Sequence, residues 1–238
     1  NELCKRASQR GLLLAIETST EYCSAALWRD GDVSERCEQV GQRHSEVLMG
    51  MVDAVLKEAG LTIRQIDAIA FGKGPGSFTG VRIACGVTQG LAFGADVPVV
   101  GVCTLQALAE ACGRDKVIAA LDARMGELYL AAYEKDGTGW REVVAPCLCE
   151  AGSAPEIPGD GWFACGSGFA VNDALRARYA AQVAGMDVQA VPQAAAVARL
   201  GAAAVARGEA LDAAQALPLY LRDKVALTTA EREAAHRT

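Results

Sequence analysis

The sequence predicts an α/β protein with two related lobes, each a mixed β-sheet with flanking helices. Strand-like and helix-like segments follow one another as βββαβαβα in the first half, and the late strands are apolar throughout, as strands covered on both faces are. The second half opens as the first does: an apolar strand ending in an acid, a short turn and a second apolar strand start at Ala15 and again at Ala120. This similarity favours an internal duplication, with chance similarity of two strand–turn–strand units as the alternative.

The first lobe is predicted to span residues 11–112, after a loose polar tail at residues 1–10. Apolar runs bounded by turn residues mark its strands, and a helical pattern followed by a glycine marks the end of its first helix. The predicted elements are strands at 12–17, 22–28 and 33–40, a helix at 45–59, a strand at 66–72, a helix from Ser77 to Gly94, a strand at 97–102 and a short helix at 104–111.

The second lobe is predicted to span residues 113–227, before a polar tail at residues 228–238. After its opening strand–turn–strand unit, a third strand, a Pro/Gly-rich loop and a further strand precede two alanine-rich helices. These segments are a strand near 140–147, a loop at 151–161, a strand at 162–168, helices near 169–181 and 193–207, and an extended piece at 217–227. The last helix is a candidate to pack back on the first lobe.

Composition and charge predict a globular cytoplasmic protein. Of the 238 residues, 51% are hydrophobic and 22% are charged. The net charge of −6 argues against a surface that binds nucleic acid without a partner protein. No apolar run reaches transmembrane length, and no secretory signal is found. The nine cysteines are predicted to be buried free thiols in a reducing compartment. Cys147 and Cys149 are the only close pair, and we expect them to point to opposite faces of a strand.

The most unusual stretch is AFGKGPGSFTGVRIACGVTQGLAFGAD, residues 70–96, in which a glycine-rich loop leads into a helix. The loop fails the Walker pattern because Lys73 is followed by glycine, and it fails the Rossmann spacing because Gly74 and Gly76 lack the third glycine. Two interpretations stay open. Backbone amides at Gly74, Gly76 and Ser77 contact an anion at the start of the helix, or the glycines only allow a sharp turn.

Few residues form a pattern that supports catalysis. The matching acids Glu17 and Asp122 could hold a hydrated Mg²⁺ across a cleft, but the turns after them are poorly suited to a triphosphate. The histidines, His44 and His236, lack the HxxxH and HExxH spacings, and no GxSxG marks a nucleophile. The sequence therefore predicts no catalytic residue and no metal site. Glu17 and Asp122 join the three loop residues above as the candidates for contact with a cofactor.

Two helices of the first lobe carry more apolar surface than one lobe needs. The apolar arc of the helix at 45–59 covers roughly 220°, whereas a helix resting on one sheet needs about 100°. The next helix has no charge between residues 83 and 95, and two of its glycines, four apart, form a smooth ridge that another backbone can approach. We therefore predict an interface with a partner protein, with burial of both helices inside the lobe as the alternative. The predicted interface residues are Val47, Leu48, Met51, Val52, Val55, Gly86, Gly90 and Phe93.

Five segments of the chain together resemble the bacterial TsaB family. They run from Leu12 to Ala226, nearly the whole chain, and the block GPGSFTGVR is highly specific to that family. The segments are LLLAIETSTEYCSAAL, RHSEVLMGMVDAVLKEAGL, IDAIAFGKGPGSFTGVRIACGVTQGLAFGADVPVVGVCTLQALA, LDARMGELYLAAY and LYLRDKVA. The resemblance implies the two-lobed ASKHA fold of actin, sugar kinases and heat-shock chaperones.

The resemblance also implies a role in forming N6-threonylcarbamoyladenosine in tRNAs that read codons beginning with A. Members of the family are regarded as non-catalytic: they dimerise through the N-lobe helices with TsaD, a metal-binding paralogue, or with themselves, and the ATPase TsaE completes the assembly. No cofactor is required, a nucleotide at the interface of the complex is left open, and no tight direct binding of tRNA is expected. The rival hypotheses are a stand-alone ASKHA ATPase or phosphotransferase, with Glu17 and Asp122 as metal ligands, and a metallopeptidase.

Overall fold

The protein folds into two mixed β-sheets with helices on their faces. The computed structural model describes residues 11–221; the predicted tails at 1–10 and 228–238, and residues 222–227 of the extended piece, lie outside this part of the chain. The elements of the first half are β1 (Leu12–Glu17), β2 (Tyr22–Arg29), β3 (Asp32–Gln39), α1 (His44–Glu58), β4 (Ala68–Gly72), α2 (Phe78–Ala95), β5 (Val99–Val102) and α3 (Thr104–Cys112). Those of the second half are β6 (Lys116–Asp122), β7 (Glu127–Asp136), β8 (Gly139–Glu150), β9 (Trp162–Cys165), α4 (Ser167–Val171), α5 (Asp173–Tyr179), β10 (Val183–Asp187) and α6 (Ala194–Ala206).

Both sheets have the same strand order, which confirms the predicted two-lobed architecture. The first sheet runs β3-β2-β1-β4-β5 and the second β8-β7-β6-β9-β10. In each sheet the three opening strands are antiparallel neighbours, and the fourth and fifth strands lie parallel to the first. Glu17 ends β1 and Asp122 ends β6, so the two acids hold equivalent positions. This strand-by-strand agreement favours duplication over chance similarity.

Two parts of the second lobe differ from the prediction. β10 is missed because its sequence, VAGMD, is short and contains a glycine and an aspartate, residues that are depleted in strands. The single helix predicted near 169–181 is two helices, α4 and α5, which are separated at Asn172. The Asn172 side chain accepts a hydrogen bond from the amide of Leu175 at 3.0 Å and so caps α5.

The helices pack so that each lobe helps to cover the other. α1 and α2 cover one face of the first sheet, and α6 covers the opposite face. α3 follows the first sheet in the chain but packs on the second sheet through Leu105 and Leu108. α6 lies so close to the first sheet that a Cβ at Gly201 would be 2.5 Å from the Ala70 Cβ. The helix that follows the fifth strand of each lobe is therefore buried against the sheet of the other lobe.

The start of α6 is fixed by two side chains of the first sheet. Its own N-cap residue, Gln193, makes no side-chain cap. Instead the Ser24 hydroxyl accepts a hydrogen bond from the Ala194 amide at 2.9 Å, and the Glu35 carboxylate accepts one from the Ala195 amide at 2.6 Å. These bonds satisfy amides that the first turn of a helix leaves unpaired. The last helix is thus held on the first lobe by capping as well as by apolar packing.

Cys147 and Cys149 point to the same face of β8, so the expectation that they face opposite ways is wrong. Residues two apart on a strand share a face, and both side chains pack against the core cluster that contains Leu128 and Leu130. All eight cysteines of residues 11–221 are free thiols, of which three are buried, four are half-buried and one is exposed. The prediction of buried thiols therefore holds for only part of the set.

Candidate functional site

A cleft of about 930 Å³ lies between the two lobes. On one side it is formed by the glycine-rich loop before α2 and the turn after β1, and on the other by the hairpin between β6 and β7. The chain that follows α6 returns to close one edge of it. Residues from all of these segments line the cleft, among them Thr20, Gly76, Ser77, Phe78, Asp122 and Tyr220.

The glycine-rich loop is held by direct contact with the turn after β1. The Ser77 amide donates to the Ser19 carbonyl at 2.8 Å, and the Thr18 hydroxyl donates to the Gly80 carbonyl at 2.6 Å. Side chains have no room in this contact: a Cβ at Gly76 would lie 2.7 Å from the Ser19 carbonyl oxygen, and one at Gly80 only 2.0 Å from that of Thr18. The glycines therefore let the start of α2 dock on the turn, which sets the direction of the helix.

The residues predicted to contact an anion have different surroundings. Gly74 is buried and has a φ of +100°, which favours glycine, and its carbonyl accepts from the Thr104 amide at 3.0 Å. Gly76 and Ser77 line the cleft. The Ser77 hydroxyl, however, already accepts from the Gly80 amide at 3.4 Å as the cap of α2. Turn formation accounts for these contacts, and anion binding stays a prediction.

The two matching acids do not meet as a cation site. Glu17 is only 1% exposed, and its carboxylate accepts hydrogen bonds from the Ser19 amide at 3.1 Å and the Ser19 hydroxyl at 2.8 Å. A Cβ at Gly72 would lie 2.2 Å from Glu17 Oε1, so the glycine makes room for this carboxylate. Asp122 is exposed in the cleft, where its Oδ1 accepts from the Arg124 amide at 3.0 Å. In the described part of the chain no three His, Cys, Asp or Glu side chains form a group that could hold a metal ion.

The buried Glu17 should make stability depend on pH. Burial raises its pKa from 4.5 to about 7, although the two hydrogen bonds from Ser19 oppose the shift. The folded state therefore binds this proton more tightly than the unfolded state, and the stabilisation is lost as the pH rises from about 4.5 to about 7. We expect Glu17→Gln to remove this part of the loss, because glutamine does not titrate. Urea denaturation of the natural protein and of Glu17→Gln at about pH 5 and about pH 8 measures the effect. If the free energy of unfolding falls equally in both proteins between these two pH values, the prediction is contradicted.

The sequence prediction missed a cluster of aromatic rings and a guanidinium group at the rim of the cleft. The Arg82 guanidinium lies 3.7 Å from the centroid of the Phe78 ring, and Arg82 Nε donates to the Tyr220 hydroxyl at 3.0 Å. Phe78 is 59% exposed and Tyr220 is 37% exposed. The spacing of four within one helix could have paired Phe78 with Arg82. No local pattern could have added Tyr220, which lies 138 residues further along the chain than Arg82.

Four predicted interface residues on α1 are covered by the protein's own lobe, which corrects the expectation that they face a partner. Leu48, Met51, Val52 and Val55 are between 1% and 7% exposed and belong to the core beneath α1. Val47 is half-buried at the edge of that core. α1 packs against β2, β3 and α2 together. Its wide apolar arc is therefore used inside the lobe, as the alternative interpretation describes.

The outer face of α2, in contrast, is uncovered in this chain. Gly86 and Gly90 are exposed, a Cβ added at either would meet nothing within 4 Å, and Phe93 is 63% exposed. We call these three residues the α2 ridge, and its role as an interface stays a prediction. Although α2 is 18 residues long, none of the helices between residues 11 and 221 is long and apolar enough to cross a membrane.

Comparison with known proteins finds similarity along most of the chain. Residues 37–232 match the family model described as TsaD: tRNA N6-adenosine threonylcarbamoyltransferase. The tRNA threonylcarbamoyladenosine biosynthesis protein TsaB of Haemophilus influenzae is 35% identical over 226 residues, which are 90% of this chain and 94% of that protein. TsaB of Escherichia coli is 47% identical over 131 residues, which are 53% of this chain and 57% of that protein. The solved structure of YeaZ from Pseudomonas aeruginosa superimposes with a TM-score of 0.80 at 38% identity, covering 89% of this chain and 100% of the other.

Proposed function

The chain belongs to the TsaB family of tRNA threonylcarbamoyladenosine biosynthesis proteins, and from that membership we propose that it is a non-catalytic subunit of the machinery that forms N6-threonylcarbamoyladenosine in tRNAs reading codons that begin with A. It acts by forming a heterodimer with the metal-binding paralogue TsaD and by helping to recruit the ATPase TsaE. The match to the TsaD family model indicates a shared fold. Partners with one fold can pair through equivalent surfaces, as identical chains do in two-fold dimers, so a homodimer would use the same surface.

The α2 ridge is the observation that carries this proposal. A glycine inside a helix costs about 1 kcal/mol relative to alanine. At Gly201 in α6 the reason is visible, because the neighbouring sheet leaves no room for a side chain. At Gly86 and Gly90 no atom of this chain stands in the way. Close approach of a second polypeptide from outside would account for both glycines, and it would also cover Phe93, an exposed aromatic residue of the kind enriched at interfaces.

The arrangement of the cleft gives little support to the rival enzymes. An ATPase that used the two acids together would need Glu17 to face the cleft, but its carboxylate is turned into the protein and bonded by Ser19. A metallopeptidase would need several ligands around one ion. His44 is buried, with Nε2 at 2.6 Å from the Thr20 carbonyl oxygen, and His236 lies outside the described residues. The geometry therefore favours a partner role over catalysis by this chain.

No cofactor is required for this role. A nucleotide held at the edge of the assembled complex would find a stacking surface on Phe78 and Arg82 at the rim of the cleft. Isothermal titration of the isolated chain with Mg-ATP distinguishes a non-catalytic subunit from a stand-alone ATPase. We expect no turnover by the isolated chain, whereas micromolar affinity with turnover would favour the ATPase.

Co-expression with TsaD from the same organism tests the proposal. We expect a heterodimer by size-exclusion chromatography with light-scattering mass measurement. We also expect TsaD and TsaE to form threonylcarbamoyladenosine in tRNA, measured by nucleoside mass spectrometry, much faster with this chain than without it. A chain that remains monomeric beside TsaD and leaves the rate unchanged would contradict the proposed function.

A further inference from the structure

The exposed side of α2 carries one charged side chain. Arg82 is the only charged residue among the 18 from Phe78 to Ala95. It is exposed to solvent and lies one turn before Gly86, so the two residues share a face of the helix. Phe78, one turn earlier, lines the cleft. The uncharged surface that includes the α2 ridge therefore has a single cation at the end nearest the cleft.

Two aromatic residues hold the Arg82 side chain in place. The guanidinium carbon lies 3.7 Å from the centroid of the Phe78 ring, and Nε donates to the Tyr220 hydroxyl at 3.0 Å. The two aromatic rings in turn contact each other, with their centroids 6.0 Å apart. A guanidinium group fixed in this way loses little conformational freedom when it binds a further partner.

The Nη atoms of Arg82 are still available for binding. Of the N–H donors of the guanidinium group, only the one on Nε is used, by Tyr220. Within residues 11–221, none of the ion pairs involves Arg82. The group is therefore charged, ordered and exposed, and it lacks a counter-charge in the described part of the chain.

Arg82 is continuous with the α2 ridge. At 100° and 1.5 Å per residue, one strip of the helix surface about 120° wide and about 22 Å long contains five exposed residues, which are Phe78, Arg82, Gly86, Gly90 and Phe93. A second chain that approaches the two glycines closely would also cover Arg82. Burying a charge without a counter-charge is costly, so a partner that covers this strip needs an anion opposite Arg82.

We propose that Arg82 anchors the partner on α2 by pairing with a carboxylate, an Asp or Glu side chain on the surface that covers the α2 ridge. This inference rests on the proposed function, in which that partner is TsaD. A carboxylate and a guanidinium group are both planar and join through two parallel hydrogen bonds. Because Nε is taken by Tyr220, the carboxylate binds end-on through the two Nη atoms. Tyr220 is then a positioning residue for the contact.

A phosphate group of a nucleotide or of tRNA is the competing ligand, because phosphates also pair with guanidinium groups. Two observations favour a protein carboxylate. The net charge of the chain is −6, which opposes the approach of a polyanion. The rest of the strip consists of aromatic rings and open glycines, a surface that suits close packing of another polypeptide.

The affinity of the full-length chain for TsaD from the same organism, measured over a range of salt concentrations, tests the anchor. We expect Arg82→Gln to weaken binding at least about 30-fold, because the carboxylate of the partner then stays buried without its counter-charge. Binding by the natural chain should also weaken more steeply with salt than binding by the variant, since an ion pair is screened.

Arg114 provides the matched control. It is exposed on the second lobe, and its guanidinium group also lies over a phenylalanine ring, 4.8 Å from the centroid of Phe163. Arg114→Gln changes the net charge by the same amount as Arg82→Gln, and it should leave the affinity for TsaD unchanged. Thermal melting confirms that each variant is folded.

Tyr220→Phe tests whether the tyrosine positions the guanidinium group, because it keeps the ring and removes the hydroxyl that accepts from Nε. We expect affinity to fall about fivefold in the natural background and not to fall further when Tyr220→Phe is added to Arg82→Gln. A hydroxyl with a merely structural role would lower the affinity equally in both backgrounds, and that result would overturn the positioning role.

Cross-linking identifies the group that meets Arg82. A carbodiimide joins an amine directly to a carboxylate, so the complex of TsaD with Arg82→Lys should give an amide between the introduced amine and an Asp or Glu of TsaD, located by mass spectrometry. The complex with Arg114→Lys should give no such link.

The outcomes separate this proposal from the proposed function. A natural chain that does not bind TsaD would contradict the function and the anchor together. If the natural chain binds TsaD and Arg82→Gln binds it equally well, the anchor is wrong while the function stands. A cross-link to a second copy of this chain instead of TsaD, or a loss of ATP or tRNA binding in Arg82→Gln at unchanged affinity for TsaD, would assign Arg82 to a homodimer or to a phosphate and would also overturn the proposal.

Discussion

Leucine at both Gly86 and Gly90 is expected to abolish association with TsaD while leaving the monomer folded. A Cβ at either position meets nothing within 4 Å, so the isolated chain can accept the larger side chains. Leucine also has the better helix propensity, by about 0.5–1 kcal/mol for each site, and α2 should become more stable. A partner packed on the ridge would be pushed away by both side chains. We expect affinity to fall at least about 100-fold, measured by co-purification and by size-exclusion mass.

Matched variants separate loss of the ridge from a general effect of added leucine. Gly152 on the second lobe is also open, so Gly152→Leu adds a leucine away from the ridge and should leave association unchanged. Alanine at Gly86 and Gly90 adds only a methyl group at each site and should have an intermediate effect. If the double leucine variant still co-purifies with TsaD in full yield, the α2 ridge is not the interface.

Gly80→Ala is expected to destabilise the first lobe strongly. The added Cβ would lie 2.0 Å from the Thr18 carbonyl oxygen, and that oxygen belongs to backbone that cannot rotate away. The loop must therefore move off the turn after β1, which weakens the bond from the Thr18 hydroxyl to the Gly80 carbonyl. Overpacking of this kind typically costs about 1–3 kcal/mol. For a chain of this length the melting temperature should fall by roughly 2–12 °C, measured by calorimetry or circular dichroism.

Gly86→Ala is the control, because it makes the same chemical change six residues further along α2. Its Cβ enters open space, so the gain in helix propensity should stabilise the protein by up to about 1 kcal/mol. The same substitution is thus expected to lower the stability of the protein at Gly80 and to raise it at Gly86. Equal responses at Gly80 and Gly86 would show that the contact between the loop and the turn does not constrain the helix.

The first sheet could be predicted closely from the sequence because burial on both faces leaves an unbroken apolar signal. β1 and β4 lie between α1 and α2 on one side and α6 on the other, and both read as continuous apolar runs. β10 (VAGMD) lies at an edge with no buried residue, and its glycine and aspartate are residues depleted in strands, so it presents no such run. The position of α3 could not be predicted either, since local sequence does not reveal which of two sheets a helix covers.

The apolar arc of α1 led to an excess of predicted interface residues. A helix that rests on one sheet needs an apolar arc of only about 100°. α1 also contacts α2, and a helix with more than one neighbour buries a wider arc. On α2, Gly86 and Gly90 are open to solvent, and their place in an interface stays a prediction.

The candidate site shows where sequence reasoning reaches its limit. Equivalent ends of β1 and β6 were predicted for Glu17 and Asp122, and both acids lie there. Which acid faces the cleft depends on Gly72, whose missing side chain admits the Glu17 carboxylate. The contact of Tyr220 with Arg82 likewise depends on the path of the chain after α6. Both are tertiary relations that no spacing in the sequence records.

The exchange of α3 and α6 between the sheets bears on the history of the molecule as well as on its folding. Neither half of the chain contains its whole core: β1 to β5 without α6 would leave one face bare, and Leu105 and Leu108 of α3 would have nothing to bury them. The halves should therefore melt together in a single cooperative transition. If the two halves arose by duplication, an ancestor with one such half could have covered its sheet by swapping its last helix with a second copy.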